Sequence, residues 1–226
     1  YMAANLAETV KRKNMDDTNA ERPEYSLMTG FIGTAWINKA LSDNGHNDIS
    51  YKLLQQSQYP SWLYAIDQGA TSIWERLNGY TVENGFGGNN SMNSFNHYSF
   101  GAVGQWMMAY SLGIQRDEKT PGFKHFVLQP QHDPTGQMTY AKGYYDSMYG
   151  RISSSWKNEK GVLTYSTTVP ANTTATLYLP AKSEKGITEG GKKISKKTAG
   201  IKFVKFENGK AVYELSSGTY AFTSSI

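Results

Sequence analysis

The chain has 226 residues, no cysteine and a formal charge of +4. That length allows one large domain, or a modest one with a smaller companion, and needs no disulfide or metal as a staple. Lacking cysteine, it excludes disulfide scaffolds, thiol nucleophiles and cysteine-based zinc or iron–sulfur sites.

The opening YMAANLAETVKRKN has neither an initiator Met at position 1 nor the layout of a signal peptide, and reads as the interior of a longer protein. Ala3, Leu6, Ala7 and Val10 mark one helical face. Met28, Ile32, Ala35, Trp36 and Ala40 step by three or four and end at Asn44-Gly45, a helix-stop signal. Asn47 or Asp48 is placed to cap a short helix through Ile49, Leu53 and Leu54. A long polar, glycine-rich loop, NGYTVENGFGGNNSMNS, occupies 78–94, and loops of that length are usually functional. Phe95, Tyr98, Ala102, Trp106 and Tyr110 then form another helical stripe, stopped by Gly113. Gly30, Gly33, Gly101 and Gly104 fall inside these helical patterns, where close helix–helix approach would offset their cost.

After Pro121 the period drops to two. Leu163, Tyr165, Thr167 and Val169 alternate with polar residues, as do Ala175, Leu177 and Leu179, and then Ala211, Tyr213 and Leu215. Turn signals at 158–161, Gly190-Gly191 and Asn208-Gly209 separate these runs, and Tyr220 and Phe222 close a last strand. Short strands so spaced predict a β-sandwich. Residues 181–210 hold nine lysines against three glutamates, so that stretch carries +6 and the remainder of the chain sums to −2. It lacks arginine and interleaved aromatics, which favours a solvated β surface over a nucleic-acid interface. No run of 18 apolar residues exists, so no membrane span is expected.

The densest polar–aromatic run is YPSWLYAIDQGATSIWERLNG, 59–79, with Trp62, Tyr64, Asp67, Trp74, Glu75 and Arg76. A carboxylate between an indole and a guanidinium suits general-base work. The plainer reading makes Trp74 core and Glu75-Arg76 surface. His97 in SFNHYSFG opens the last helical stripe, where it could bond a substrate hydroxyl, orient a carboxylate or simply serve the fold. No HExxH, EF-hand loop, phosphate-binding GxxxxGK or GxSxG elbow occurs, so neither metal, cofactor nor acyl-transfer chemistry is expected.

Three segments carry a resemblance. MTGFIGTAWINKALSDNG at 28–45, LLQQSQYPSWLYAIDQGATSIWERLNGY at 53–80 and SMNSFNHYSFGAVGQWMMAYSLGI at 91–114 together resemble the bacterial α-L-rhamnosidases of glycoside hydrolase family 78. GFKHFVLQPQ at 122–131 resembles that family's passage into its C-terminal β-sandwich. The resemblance implies an α+β multidomain chain: the C-terminal part of an (α/α)6 barrel over 1–120, then an antiparallel β-sandwich over 121–226. It implies an inverting exo-glycosidase that removes terminal α-L-rhamnose from glycosides or polysaccharides. Inversion needs an acid for the leaving oxygen and a base for water, about 6.5–9.5 Å apart. The family's base falls on Glu75 and its pocket histidine on His97, with Trp62, Tyr64 and Trp74 as pocket walls.

The family's general acid lies in an aspartate- and arginine-rich stretch that nothing here matches, Met15-Asp16-Asp17 being too plain a substitute. Six helical hairpins would also need roughly 350 residues at usual helix and loop lengths. The chain is therefore expected to hold the base without the acid, to be inactive in isolation, and to self-associate through exposed barrel helices. Another exo-glycosidase on the same barrel, or a non-catalytic carbohydrate-binding module, are the alternatives.

Overall fold

The computed structural model describes residues 1–87 and 92–226, so residues 88–91 of the expected long loop lie outside the described residues. By its internal contacts the chain divides into two compact units, Tyr1–Trp106 and Met107–Ile226. The sequence expectation divides it at residue 120. Strand pairing already begins at Ile114.

The first unit is helical. Helix α1 (Met2–Lys11) buries Ala7 and Val10, and a two-residue ladder of β1 (Asn14–Met15) with β2 (Glu21–Arg22) follows. Helices α2 (Phe31–Asp43) and α3 (Asn47–Gln55) form an antiparallel hairpin. Gly45 adopts φ +83°, and the His46 N–H donates to the Leu41 carbonyl at 2.9 Å, which ends α2 where the sequence signals it. His46, rather than Asn47 or Asp48, occupies the N-cap of α3, with no side-chain cap bond. Helix α4 (Trp62–Asp67) is capped by Ser61, whose hydroxyl accepts from the Tyr64 N–H at 3.1 Å.

Three helical expectations need correction. The buried side of α2 is Thr34, Ile37, Asn38, Leu41 and Ser42, whereas Ile32 is 84% and Trp36 59% exposed. A polar seam joins α2 to α3: the Asn38 amide donates to the Ser50 carbonyl, the Ser50 hydroxyl to the Asn38 carbonyl, and the Ser42 hydroxyl to Asn47 Oδ1. The stripe from Phe95 to Tyr110 is not one helix. Residues 95–98 are loop, followed by a 3-10 turn (Ser99–Ala102), α5 (Val103–Trp106) and a π-helical turn (Met107–Ser111). Nor do the four helical glycines admit a neighbouring helix. A Cβ at Gly30 or Gly104 would meet open space, at Gly33 its own turn through Thr29, and at Gly101 the side chain of Ile73 in a loop.

The second unit contains β3 (Ile114–Arg116), β4 (His125–Leu128), β5 (Tyr140–Ser147), β6 (Gly150–Glu159), β7 (Val162–Val169) and β8 (Thr174–Pro180). It continues with β9 (Thr188–Glu189), β10 (Lys192–Lys193), β11 (Ile201–Glu207), β12 (Lys210–Leu215) and β13 (Gly218–Ser225). They build one sheet ordered β10-β9-β13-β7-β6-β5 and another ordered β11-β12-β8-β4-β3. The rings of Tyr213 on β12 and Phe222 on β13 stack at 5.7 Å, so the two sheets meet face to face around a core that includes Phe126, Trp156, Tyr165 and Leu177. The expected alternation is present: Leu163, Tyr165, Thr167 and Val169 are all buried.

Three hairpins close through two-residue turns with positive φ at both positions, Lys160-Gly161, Gly190-Gly191 and Asn208-Gly209, the type that matches strand twist. The sheets are not wholly antiparallel, because β4 runs parallel to β8, with His125 opposite Thr174. Of the nine lysines in 181–210, eight are exposed and Lys210 is half-buried. Among the described residues no helix is long and apolar enough to cross a membrane.

Candidate active site

Glu75 sits in an irregular segment held by a second one. Its N–H donates to the Ser94 carbonyl at 2.8 Å, and the His97 N–H donates to the Ile73 carbonyl at 2.8 Å. These two bonds pair 73–75 with 94–97 and hang Glu75 and His97 from one local ladder. The Ser94 N–H also donates to Glu75 Oε2 at 2.8 Å, while Oε1 has no hydrogen-bond partner among the described residues. A carboxylate oriented through one oxygen and open at the other can accept a proton from water.

Behind Glu75, Trp74 is 6% exposed and meets Phe95 edge-on at 5.3 Å and Tyr80 at 6.3 Å; Phe86 contacts both of those rings. The sequence Trp-Glu therefore anchors one residue in an aromatic cluster and turns the next to the surface. His97 does not start a helix as expected, since Tyr98 holds the N-cap position of the 3-10 turn. Its ring stacks on Phe31 at 4.7 Å, and its Nδ1 accepts a long bond from the Ser99 N–H at 3.4 Å, which leaves the neutral ring's proton on Nε2.

Glu75 lines a cavity of about 380 Å³ with Arg76, Asp16, Arg22, Tyr59 and Phe100 among its other walls. Of the five expected residues it is the one in that lining. Trp62 is 7% exposed and donates its indole N–H to the Phe100 carbonyl at 2.8 Å. Tyr64 packs edge-on against Tyr59 at 5.5 Å. His97 reaches the wall through Phe31, whose ring meets Phe100 at 5.3 Å. The structure thus brings Glu75 to the cavity, sets Trp62 and Tyr64 against its lining residues, and leaves His97 in touch with it only through Phe31.

The sequence weighs Asp16 only as too plain a substitute for the missing acid, and singles out neither Arg22 nor Tyr59. The Asp16 carboxylate accepts from the Thr18 hydroxyl at 2.7 Å, the Thr18 and Ala20 N–H groups at 2.9 Å each, and the Arg22 guanidinium. The Thr18 hydroxyl, the Ala20 N–H and Arg22 together hold its pKa well below the usual carboxylate range. Asp16 is therefore an ionised anchor, unsuited to donate a proton. Arg22 in turn lies 4.7 Å over the Tyr59 ring. The signal was an Asp six residues before an Arg across a tight turn, visible only once the β1–β2 ladder is known.

A family model described as the bacterial alpha-L-rhamnosidase 6 hairpin glycosidase domain matches residues 2–110. One described as the bacterial alpha-L-rhamnosidase C-terminal domain matches residues 113–194. The chain is 38% identical over 203 residues to an alpha-L-rhamnosidase of Streptomyces avermitilis, covering 90% of this chain and 18% of that protein. It is 36% identical over 196 residues to an alpha-L-rhamnosidase of Formosa agariphila, covering 87% and 20%. The crystal structure of the Streptomyces avermitilis alpha-L-rhamnosidase complexed with L-rhamnose superposes with a TM-score of 0.75 at 37% identity, covering 88% of this chain and 18% of that one. The chain spans about a fifth of the length of the curated relatives it matches. From its first helix through the strand-built unit, this chain belongs to the bacterial α-L-rhamnosidase family, a hairpin-domain region followed by a C-terminal-domain region.

Proposed function

We propose that the protein carrying this chain is an inverting exo-glycosidase that releases terminal α-L-rhamnose, with Glu75 as its general base. The observation that carries this is the carboxylate itself. One oxygen is fixed by the Ser94 N–H, and the other has no hydrogen-bond partner among the described residues and lies beside a cavity. In the proposed reaction Glu75 takes a proton from a water that attacks the anomeric carbon. A carboxylic acid about 6.5–9.5 Å away protonates the departing glycosidic oxygen. Asp16, held ionised, does not fill that role, and the acid is assigned to the family's aspartate- and arginine-rich stretch, which these 226 residues do not match.

His97, which meets the wall of the Glu75 cavity only through Phe31, is assigned to the sugar on the family resemblance, offering Nε2–H to a hydroxyl. Trp62, Tyr64 and Trp74 are assigned to the pocket's walls, chiefly as the packing that fixes Phe100, Tyr59 and Glu75. The helical unit is read as hairpins of an (α/α)6 barrel, in keeping with the 6 hairpin description of the matching family. L-rhamnose in the Streptomyces avermitilis crystal structure supports the choice of sugar.

Glu75→Gln in the protein that carries this chain tests the assignment with an aryl α-L-rhamnoside. The expected loss in kcat is about 10²–10⁴-fold, the range typical of a positioned acid or base, with an unchanged melting curve. A variant that keeps most of its rate overturns it.

A further inference from the structure

We propose that the strand-built unit holds a second ligand site, for an acidic saccharide, in the cavity between β11, the turn that precedes it and the loop after β8. The cavity measures about 490 Å³, within the range of about 300–1,000 Å³ usual for small-molecule sites. It lies wholly within Met107–Ile226 and shares no residue with the Glu75 cavity.

Its inner wall is aromatic. Tyr213 is 2% exposed, wedged between Phe203 at 5.6 Å and Phe222 at 5.7 Å. The Tyr213 hydroxyl nevertheless has no hydrogen-bond partner among the described residues, although the side chain lines the cavity. The hydroxyl is accessible from the cavity, where it can donate to a ligand oxygen in place of water. Burial, followed by the negative charge of Glu184, pushes this phenol up to about 12, which keeps it a neutral donor.

The rim supplies complementary groups. Glu184 accepts hydroxyl protons from one side, and Ser195 sits on a pinned turn. The Thr198 N–H donates to the Ser195 carbonyl at 3.0 Å, and the Ser195 N–H donates to the Thr198 hydroxyl at 2.9 Å. The Ser195 hydroxyl accepts from the Lys197 N–H at 3.2 Å, which leaves its own hydrogen to donate. Lys196 and Lys202 also line the cavity, and neither ammonium has an ion-pair partner among the described residues. Two ammonium groups against one carboxylate select an anion. The Phe203 ring offers a face for sugar C–H groups, and Tyr213, Glu184 and Ser195 offer partners for hydroxyls. The preference for a sugar over other ring-bearing acids rests on the proposed function.

NMR titration of the 226-residue chain with D-glucuronate, and separately with D-glucose, tests the site. Glucuronate is expected to give saturable shifts at Phe203, Tyr213 and Lys202, with millimolar affinity. The surface double variant Lys196→Ala/Lys202→Ala should weaken glucuronate about tenfold while leaving glucose unchanged. Tyr213→Phe keeps the ring packing and should weaken both about threefold or more. Absence of saturable shifts, equal affinity for the two sugars, or indifference to both variants overturns the proposal. None of these readouts involves hydrolysis, so failure here leaves the Glu75 assignment standing. Retained rate in Glu75→Gln would likewise leave glucuronate binding as measured.

Discussion

Glu75 and Ser94 are tied twice: the Glu75 N–H donates to the Ser94 carbonyl, and the Ser94 N–H donates to the Glu75 carboxylate, both at 2.8 Å. The second bond fixes the carboxylate without using any side chain of Ser94. Ser94→Pro removes that N–H, and misplacing a reacting group by about 1 Å can cost about 10²-fold in rate. Ser94→Ala keeps the N–H and should retain most activity. Rates of the two variants of the protein carrying this chain, with a melting curve for each, separate the backbone role from any role of the hydroxyl.

Asp16 organises the turn between β1 and β2, and its depressed pKa sets a pH dependence. A carboxylate whose folded pKa lies below its unfolded value stabilises the fold above the unfolded pKa, near 4. That contribution is lost as pH falls through the folded pKa. Acid titration followed by circular dichroism should therefore show helical-unit stability falling below about pH 4. Asp16→Asn should flatten that limb while lowering stability at neutral pH.

The seam of α2 and α3 depends on one hydroxyl. Ser42 accepts from the Trp106 indole N–H at 2.8 Å and donates to Asn47 Oδ1 at 2.9 Å, and it is buried. Ser42→Ala leaves the indole donor unpaired, at a cost of about 1–3 kcal/mol. Urea unfolding followed by tryptophan fluorescence should record that loss. Trp106→Phe in the Ser42→Ala background should cost less than in the wild-type background, because the two share one bond.

Why the β unit was legible and the helical unit only partly so follows from the same residues. Asn208-Gly209 and Gly190-Gly191 announce their turns chemically, and β7 alternates strictly, so local pattern and tertiary burial agree. In α2 they disagree. The buried stripe runs through Thr34, Asn38 and Ser42, while the apolar Ile32 and Trp36 face outward, so hydrophobic period selects the wrong side. The aromatic stripe from Phe95 is helical in spacing, yet its first residues are drawn into bonds with Ser72 and Ile73. Glu75 was legible because the Trp-Glu-Arg run belongs to a long resemblance. Asp16 and Tyr59 were not, because only the chain's return brings them to the same cavity.

Gly113 is a position that no other residue can take. Its φ is +74°, and a Cβ there would lie 2.2 Å from both the Gln129 carbonyl carbon and the Pro130 nitrogen. Both obstacles are backbone, and the Gln129 N–H already donates to the Gly113 carbonyl at 2.8 Å, which pins the approach. Gly113→Ala should destabilise the strand-built unit by at least about 2 kcal/mol. A thermal melt read at the near-ultraviolet signal of buried Trp156 measures it, and an unchanged midpoint would refute the geometry.

The outer face of α2 predicts the solution behaviour of the 226-residue chain. Ile32 and Trp36 are one helical turn apart and largely exposed, and Phe31 and Met28 are exposed nearby. Contiguous apolar surface of this kind drives association. Light scattering on the chain should give a mass that rises with concentration. Trp36→Lys, at a position outside the buried side of α2, should lower that mass toward the monomer without shifting the melting midpoint, and a concentration-independent monomer before substitution would sink the expectation.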